Sequence, residues 1–206
     1  MTRPIDEAEK AERHRAKMAK RKQVQDAEVA EKRLEKGLMI VHTGAGKGKS
    51  TAAFGLALRM LGHERRVGVV QFIKGAWATG ERSALSAFGD RIAWYTLGEG
   101  FTWETQDLAR DRAAAQRAWA QALALMADAS FALVILDELN IALRYEYLEL
   151  NDVVQALSAR RPDLHVVVTG RNAKPALLEA ADLVTEMTVI KHHFAAGVKA
   201  QSGIEF

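Results

Sequence analysis

The chain of 206 residues has no cysteine, which excludes disulfides, thiolate metal sites and a cysteine nucleophile and suits a reducing compartment, taken here to be the cytoplasm. No apolar run approaches the roughly 20 residues that a membrane-spanning helix needs, so no membrane partner is expected. The leading residues are highly charged and hold no apolar core, so no secretory signal is expected either. Nothing has zinc-ligand spacing, no Ser-His-Asp set stands in a recognisable context, and there is no internal repeat or low-complexity linker. What is present is 49% hydrophobic content, enough for one α/β domain with a proper core.

The net charge is +3, and it is unevenly placed. Residues 1–37 hold 11 Lys/Arg and 8 Asp/Glu, whereas the remainder holds 18 of each. The basic excess therefore belongs to the leading segment. Its mixed charges favour a solvated helix over a nucleic-acid arm, and no nucleic-acid partner is expected. Residues 6–36 are rich in Ala, Glu, Lys, Arg and Gln, which favour helix. Val24, Val29 and Leu34 are too sparse for a core stripe or a heptad seam. The expected division is a charged helical arm over 1–37 and a single α/β domain over 38–206.

From Leu38 onward strand-like and helix-like stretches alternate. Strands are expected at 38–43, 67–72, 91–97, 131–137, 165–170 and 183–189. Helices are expected at about 50–61, 80–88, 104–129, 138–144 with 151–160, and 173–181. Short apolar strands alternating with helices imply a mainly parallel sheet covered on both faces. Ligands of such sheets gather at the carboxyl ends of the strands. Four stretches should share that edge: the loop after the first strand, Gln71-Phe72-Ile73-Lys74-Gly75, Asp137-Glu138, and Thr169-Gly170-Arg171.

The most telling stretch is Leu38-Met39-Ile40-Val41-His42 followed by Thr43-Gly44-Ala45-Gly46-Lys47-Gly48-Lys49-Ser50-Thr51 and then Ala52-Ala53-Phe54. This is the order strand, phosphate loop, helix. Glycines let backbone N–H groups converge on phosphate oxygens, and the helix aims its positive end at them. Lys49 supplies a point charge and Ser50 a hydroxyl for Mg²⁺. The general pattern G-x-x-x-x-G-K-[ST] puts Thr43 where a glycine is usual, and Lys47 adds a second cation. The fold expected is thus P-loop NTPase-like, of the RecA-like kind, and the ligand a nucleoside triphosphate.

Phe131 to Leu136 form a buried-type strand ending in Asp137 and Glu138. In phosphate-loop proteins an acid here holds Mg²⁺ opposite the loop hydroxyl, whereas an acid opening a helix also serves as an N-cap. Neighbouring side chains diverge, so one of the two is expected to be the direct ligand, and the pattern does not say which. Gly98 to Thr105 carries Phe101 and Trp103 between glycines, either as plugs of the core and a staple of the helix start, with Thr102 as N-cap, or as a platform for a large flat ligand. His192-His193 is expected to be surface or hydrogen-bonded rather than chelating.

Together these stretches resemble the phosphate-loop ATP:corrinoid adenosyltransferases, which act on cob(I)alamin or cob(I)yrinic acid a,c-diamide. The resemblance rests on Thr43 through Gly55, Val67 through Gly75, Gly80-Glu81-Arg82 and Gly100-Phe101-Thr102-Trp103-Glu104-Thr105. It continues in Leu136-Asp137-Glu138-Leu139, Thr169-Gly170-Arg171, and the tail from Lys191-His192-His193-Phe194 to Gly203-Ile204-Glu205-Phe206. Thr43 is itself typical of that family; Ala45 replaces a residue that is often polar, and Ser50 stands where Thr is common. The resemblance implies transfer of the 5′-deoxyadenosyl group of ATP to Co(I) of a corrinoid, with triphosphate leaving, in adenosylcobalamin biosynthesis or salvage. It implies ATP bound by residues 43–51 with its γ-phosphate where other phosphate-loop enzymes hold an α-phosphate. It also implies Mg²⁺ (or Mn²⁺) on Ser50 and Glu138 with Asp137 behind them, and Lys47 and Lys49 on the leaving triphosphate. Phe101 and Trp103 match aromatics that keep the lower axial ligand off Co(II). A homodimer, an electron donor such as a reduced flavoprotein, and an arm folded over the corrinoid are further implications. The alternatives are an ATPase or phosphoryl transferase of the same fold, and a nucleotide-gated binding module with a basic arm.

Overall fold

The structure is a computed structural model, and it describes residues 6–73, 79–98 and 107–205. The chain divides into two units, Met1–Glu35 and Lys36–Phe206. The first contains one helix, α1 (Glu7–Ala30), with Glu7 and Glu9 in its first turn, where carboxylates complement the helix dipole. None of its residues is buried. Pairs such as Lys10–Glu7, Arg13–Glu9 and Lys22–Asp26 line its surface, each worth only about 0.2–0.5 kcal/mol. Composition rather than packing makes this helix.

The second unit is built on a six-stranded parallel sheet in the order β3-β2-β4-β5-β1-β6. The strands are β1 (Met39–Thr43), β2 (Arg66–Gln71), β3 (Ile92–Thr96), β4 (Phe131–Asp137), β5 (His165–Thr169) and β6 (Leu183–Glu186). Between them run α2 (Lys49–Gly62), α3 (Gly80–Leu85), α4 (Leu108–Ala127), α5 (Leu139–Arg144), α6 (Leu150–Ser158) and α7 (Pro175–Ala180). The doubly covered parallel sheet read from the alternation is therefore present. Strand β5 lies between the strand that carries the glycine loop and the strand that ends in the two acids.

The period of two along each strand sorts the core into two layers. Ile40, Val67, Val69, Leu133, Ile135 and Val167 face one side, against Ala53, Phe54, Ala57 and Leu61 of α2. Met39, Val41, Val70, Val134, Leu136, Val166 and Val168 face the other, against Ala115, Ala118, Ala122 and Leu125 of α4 and Leu139 and Leu143 of α5. The central strands β1, β4 and β5 are buried almost throughout, while β6 at one edge is exposed along its length.

Several boundaries differ from expectation for identifiable reasons. The helix expected over 80–88 ends at Leu85 and tightens into a 3₁₀ stretch, Ser86–Arg91, kinked at Gly89 (φ 59°, ψ −128°). Of the helix expected over 104–129 the described part is Leu108–Ala127, with Asp107 at its N-cap accepting from Arg110 N (3.1 Å); Thr102, the expected N-cap, lies outside the described residues. The last strand stops at Glu186 rather than 189. Met187 N still donates to Thr43 O (2.9 Å), but the Met187 carbonyl turns away to accept from Gly46 N (2.6 Å), so the chain leaves the sheet to support the glycine loop.

Candidate active site

Strand β1 delivers the loop to the carboxyl edge of the sheet. Thr43 is fixed there, its hydroxyl oxygen accepting from Ala173 N (3.1 Å). Gly44 follows at φ +94°, where a Cβ would lie 2.4 Å from the Met187 carbonyl oxygen, so only glycine fits. Ala45 and Lys47 are exposed, and Gly48 (φ 100°, ψ −5°) opens α2 without a side-chain cap. The leading N–H groups of α2 have no carbonyl earlier in the helix to bond, so this end is suited to an anion. His42, buried beneath, places Nδ1 3.3 Å from the Lys49 carbonyl.

Lys49 is 7% exposed and curls over its own loop, donating to the carbonyls of Gly44 (2.9 Å) and Gly46. Burial pulls its pKa below the ordinary lysine value; the Glu138 carboxylate opposes that shift, and Arg171 and Lys47 add to it. Gly46, Lys47, Gly48, Lys49, Ser50 and Thr51 line one cavity of about 550 Å³, together with Glu138. A second cavity, about 350 Å³ and lined by Arg112, Trp119, Tyr147 and Asp152 among others, holds none of the expected site residues.

The two adjacent acids part company. Asp137 is fully buried, accepting from Gln71 Nε2 (3.0 Å) and from the Thr169 hydroxyl (2.8 Å). Glu138 turns into the left-handed region (φ 62°, ψ 22°) and lines the cavity opposite the loop. It is Glu138, not Asp137, that occupies the N-cap position of α5, and its side chain makes no capping bond.

Other lining residues come from scattered stretches: Ile73, Glu81, Ile141, Arg144, Tyr145, Arg171, Ile204 and Glu205. The sequence placed Arg171 at this edge without a role, and Glu205 only within the tail. Arg144 and Tyr145 carried no local signal. Glu205 pairs with Lys47 and takes His193 Nε2 at 3.1 Å. The Lys47 bond holds its carboxyl below the usual glutamate range, and the charges of Lys47, His193 and His192 push the same way against partial burial. His192 and His193 stack at 4.8 Å, and His192 Nδ1 accepts from Phe194 N, so both have ordinary partners. Phe101 and Trp103 lie outside the described residues, as do Lys74 and Gly75. Leu97 and Gly98, which lead into 99–106, donate to the Gln71 carbonyl (3.2 and 3.3 Å) at this edge.

The donor set suits a hard divalent cation. Ser50 and Glu138 offer a hydroxyl and a carboxylate to one cavity, and Mg²⁺ takes one or two protein oxygens with phosphate and water supplying the rest. No group of three or more His, Cys, Asp or Glu able to hold a metal occurs among the described residues.

Comparison with known proteins agrees along the chain. The family model described as ATP:corrinoid adenosyltransferase BtuR/CobO/CobP matches residues 35–206, and that described as Cob(I)alamin adenosyltransferase N terminal matches residues 2–29. A corrinoid adenosyltransferase of Pseudomonas aeruginosa is 54% identical over 198 residues, 96% of this chain and 98% of that protein. One from Sinorhizobium sp is 57% identical over 94% of this chain and 92% of its own length. One from Escherichia coli (strain K12) is 47% identical over 95% and 98%. With a family model spanning the whole sheet unit and relatives matching over nearly their full lengths, this chain belongs to the ATP:corrinoid adenosyltransferase BtuR/CobO/CobP family.

Proposed function

We propose that the chain transfers the 5′-deoxyadenosyl group of ATP to Co(I) of a corrinoid. The Co(I) lone pair attacks C5′, the Co–C bond forms, and the C5′–O bond breaks with its electron pair leaving on triphosphate; the cobalt is formally oxidised from +1 to +3. The observation that carries this reading is the cavity where Lys49, Ser50 and Glu138 meet, in a chain of this family.

The cobalt is itself the nucleophile, so the protein needs no general base. Its work is to orient ATP, exclude water and stabilise the departing charge. Residues 43–51 bind the triphosphate through the loop amides and the start of α2. Lys49 leaves its two neutral carbonyls for phosphate oxygens, which return to a buried ammonium the charge partner that burial demands. Lys47 is released from Glu205 to the same end. Mg²⁺ (or Mn²⁺), when bound, neutralises triphosphate charge; Ser50 and Glu138 would hold it, with Asp137 behind. Phe101 and Trp103 belong to the corrinoid side, a role supported by their match to the family motif.

Family membership also supports a homodimer, a reduced flavoprotein or similar donor that delivers Co(I), and a cytoplasmic setting. Among the described residues no helix is long and apolar enough to cross a membrane.

The test combines ATP, Mg²⁺ and chemically reduced corrinoid. The visible spectrum should change to that of an alkylcorrinoid, the product should be light-sensitive, and triphosphate should appear in equal amount. Release of ADP and phosphate without a corrinoid change would make the chain an ATPase or phosphoryl transferase instead.

A further inference from the structure

Buried and half-buried side chains at the carboxyl edge of the sheet form one connected set of hydrogen bonds across four neighbouring strands, converging on Asp137 from both sides. Trp94 Nε1 (3.1 Å) and the Thr96 hydroxyl (3.0 Å), both on β3, donate to Gln71 Oε1 on β2. Gln71 Nε2 donates to Asp137 Oδ2 on β4 (3.0 Å), and the Thr169 hydroxyl on β5 donates to Asp137 Oδ1 (2.8 Å). Glu138 N then donates to the Thr169 oxygen (3.0 Å). Gln71 stands opposite both Thr96 and Asp137 in register, and Gln71, Asp137 and Thr169 are each at most 2% exposed.

Chemistry sets the direction of each of these bonds. An indole N–H can only donate, so the Gln71 amide must present its oxygen to Trp94 and its nitrogen to Asp137. Asp137 accepts the Thr169 proton, so Thr169 has lone pairs left for the Glu138 amide. That amide belongs to a residue in the left-handed region, which a side chain other than glycine or asparagine rarely adopts unless its surroundings hold it there. The space into which Glu138 turns is left by Gly170, where a Cβ would come within 3.0 Å of Glu138 Oε2.

We propose that Thr169 and Gln71 are positioning residues for the reaction: they clamp Asp137 and, through the Thr169 hydroxyl, hold the Glu138 backbone in the turn that presents its carboxylate to the nucleotide cavity. The proposal rests on the reading that Glu138 helps hold the cation of a bound ATP–Mg²⁺ pair. It gives Asp137 a task that needs no contact with the cation, and it gives one to Thr169 and Gln71, neither of which is among the residues lining the cavity.

The experiment measures ATP affinity of the full chain by calorimetry with Mg²⁺ and with EDTA, and takes the ratio as the gain due to the cation. Glu138→Gln should reduce that gain to near one. Thr169→Val, which keeps the shape and removes the hydroxyl, should lower it about tenfold while leaving the metal-free affinity within about twofold. Thr169→Ser should restore it. Gln71→Met should give a smaller loss of the same kind, and it decides the matter if Thr169→Val does not fold. An unchanged gain in Thr169→Val, or equal losses with and without Mg²⁺, overturns the positioning role while leaving Glu138 as the cation's partner. An unchanged gain in Glu138→Gln overturns the cation reading itself, and this proposal with it.

Discussion

The two ends of the parallel sheet use the same kinds of charged residue for opposite purposes. At the amino end of β1 the charges close on one another. Asp182 accepts from Met39 N (2.8 Å), Arg160 Nη2 (3.2 Å) and Lys36 Nζ. Arg160 also donates to the carbonyls of Gly37 (2.9 Å), Leu157 (2.9 Å) and Leu164 (3.3 Å), while Leu38 N donates to His165 Nδ1 (3.1 Å). Every partner named is a group of the chain itself, so the result is a pinned strand. At the carboxyl end Lys47, Lys49, Arg171, Glu138 and Glu205 ring a cavity of about 550 Å³. There the ammonium of Lys49 rests on neutral carbonyls, and burial depresses its pKa. A network closed by the chain holds the fold, whereas one that leaves room for a solute costs some stability and gains a binding function.

The largest expected effect breaks the carboxyl end alone. Lys49→Ala should lower adenosyl transfer by about a hundredfold or more, since a buried cation aimed at departing charge is lost. The melting temperature should hold or rise, because the fold no longer carries a poorly compensated buried ammonium. A melting temperature that falls in step with activity would make Lys49 a structural residue and erase the contrast.

The converse substitution is Arg160→Ala. It removes the donor that Arg160 supplies to three carbonyls and one of the three donors to the Asp182 carboxylate, and should cost about 3 kcal/mol of stability. Turnover per folded molecule should stay near the parent value. Denaturant unfolding beside a rate normalised to folded protein separates the two readouts, and a matching loss of turnover would show that the ends are coupled.

A smaller effect concerns acid. Burial and the Arg160 charge hold the His165 pKa below its ordinary value, with Asp163 opposing, and the Lys36 and Met39 bonds hold Asp182 low. Each group therefore binds its proton more readily when unfolded, so its contribution is full above the unfolded pKa and is lost as pH falls through the folded one. The His165 part should begin to go below about pH 6.5 and the Asp182 part below about pH 3.9. His165→Gln should flatten the upper limb of a stability–pH curve and Asp182→Asn the lower. Identical curves for parent and variants would show that neither bond is worth measuring.

The legible parts of this molecule were those whose evidence is contiguous. The glycine loop, with Lys49 and Ser50, declares itself because strand, turn and helix start are consecutive and each residue type has a backbone reason to be there. Asp137 and Glu138 were equally visible as a pair. Their division of labour was not legible in the residue pattern and came only as an implication of the family resemblance, because strand alternation ends at Asp137 and the next residue is set by a left-handed turn whose anchor, Thr169, lies 31 residues on. Glu81, Arg144, Tyr145 and Glu205 reach the cavity from three separate stretches; Glu81 and Glu205 were visible only as members of family-like stretches, and nothing in their neighbours marks Arg144 and Tyr145. The early end of β6 belongs with these, since Met187 leaves the sheet for a contact with Gly46, far away in sequence.

The sequence by itself determined the alternation of elements, the parallel two-layered sheet, the phosphate-type loop and a helical arm set apart by its charge. These follow from local propensity, from the period of apolar residues and from glycine geometry, all of which act over a few residues. Residue pattern alone left open which acid faces the cavity, and only the tertiary structure decided that Arg144 and Arg171 join its lining and how the tail's Glu205 meets Lys47. Those depend on strand order and on distances between remote segments, and hydrogen bonds only a few ångströms long form between groups that packing, not sequence, brings side by side.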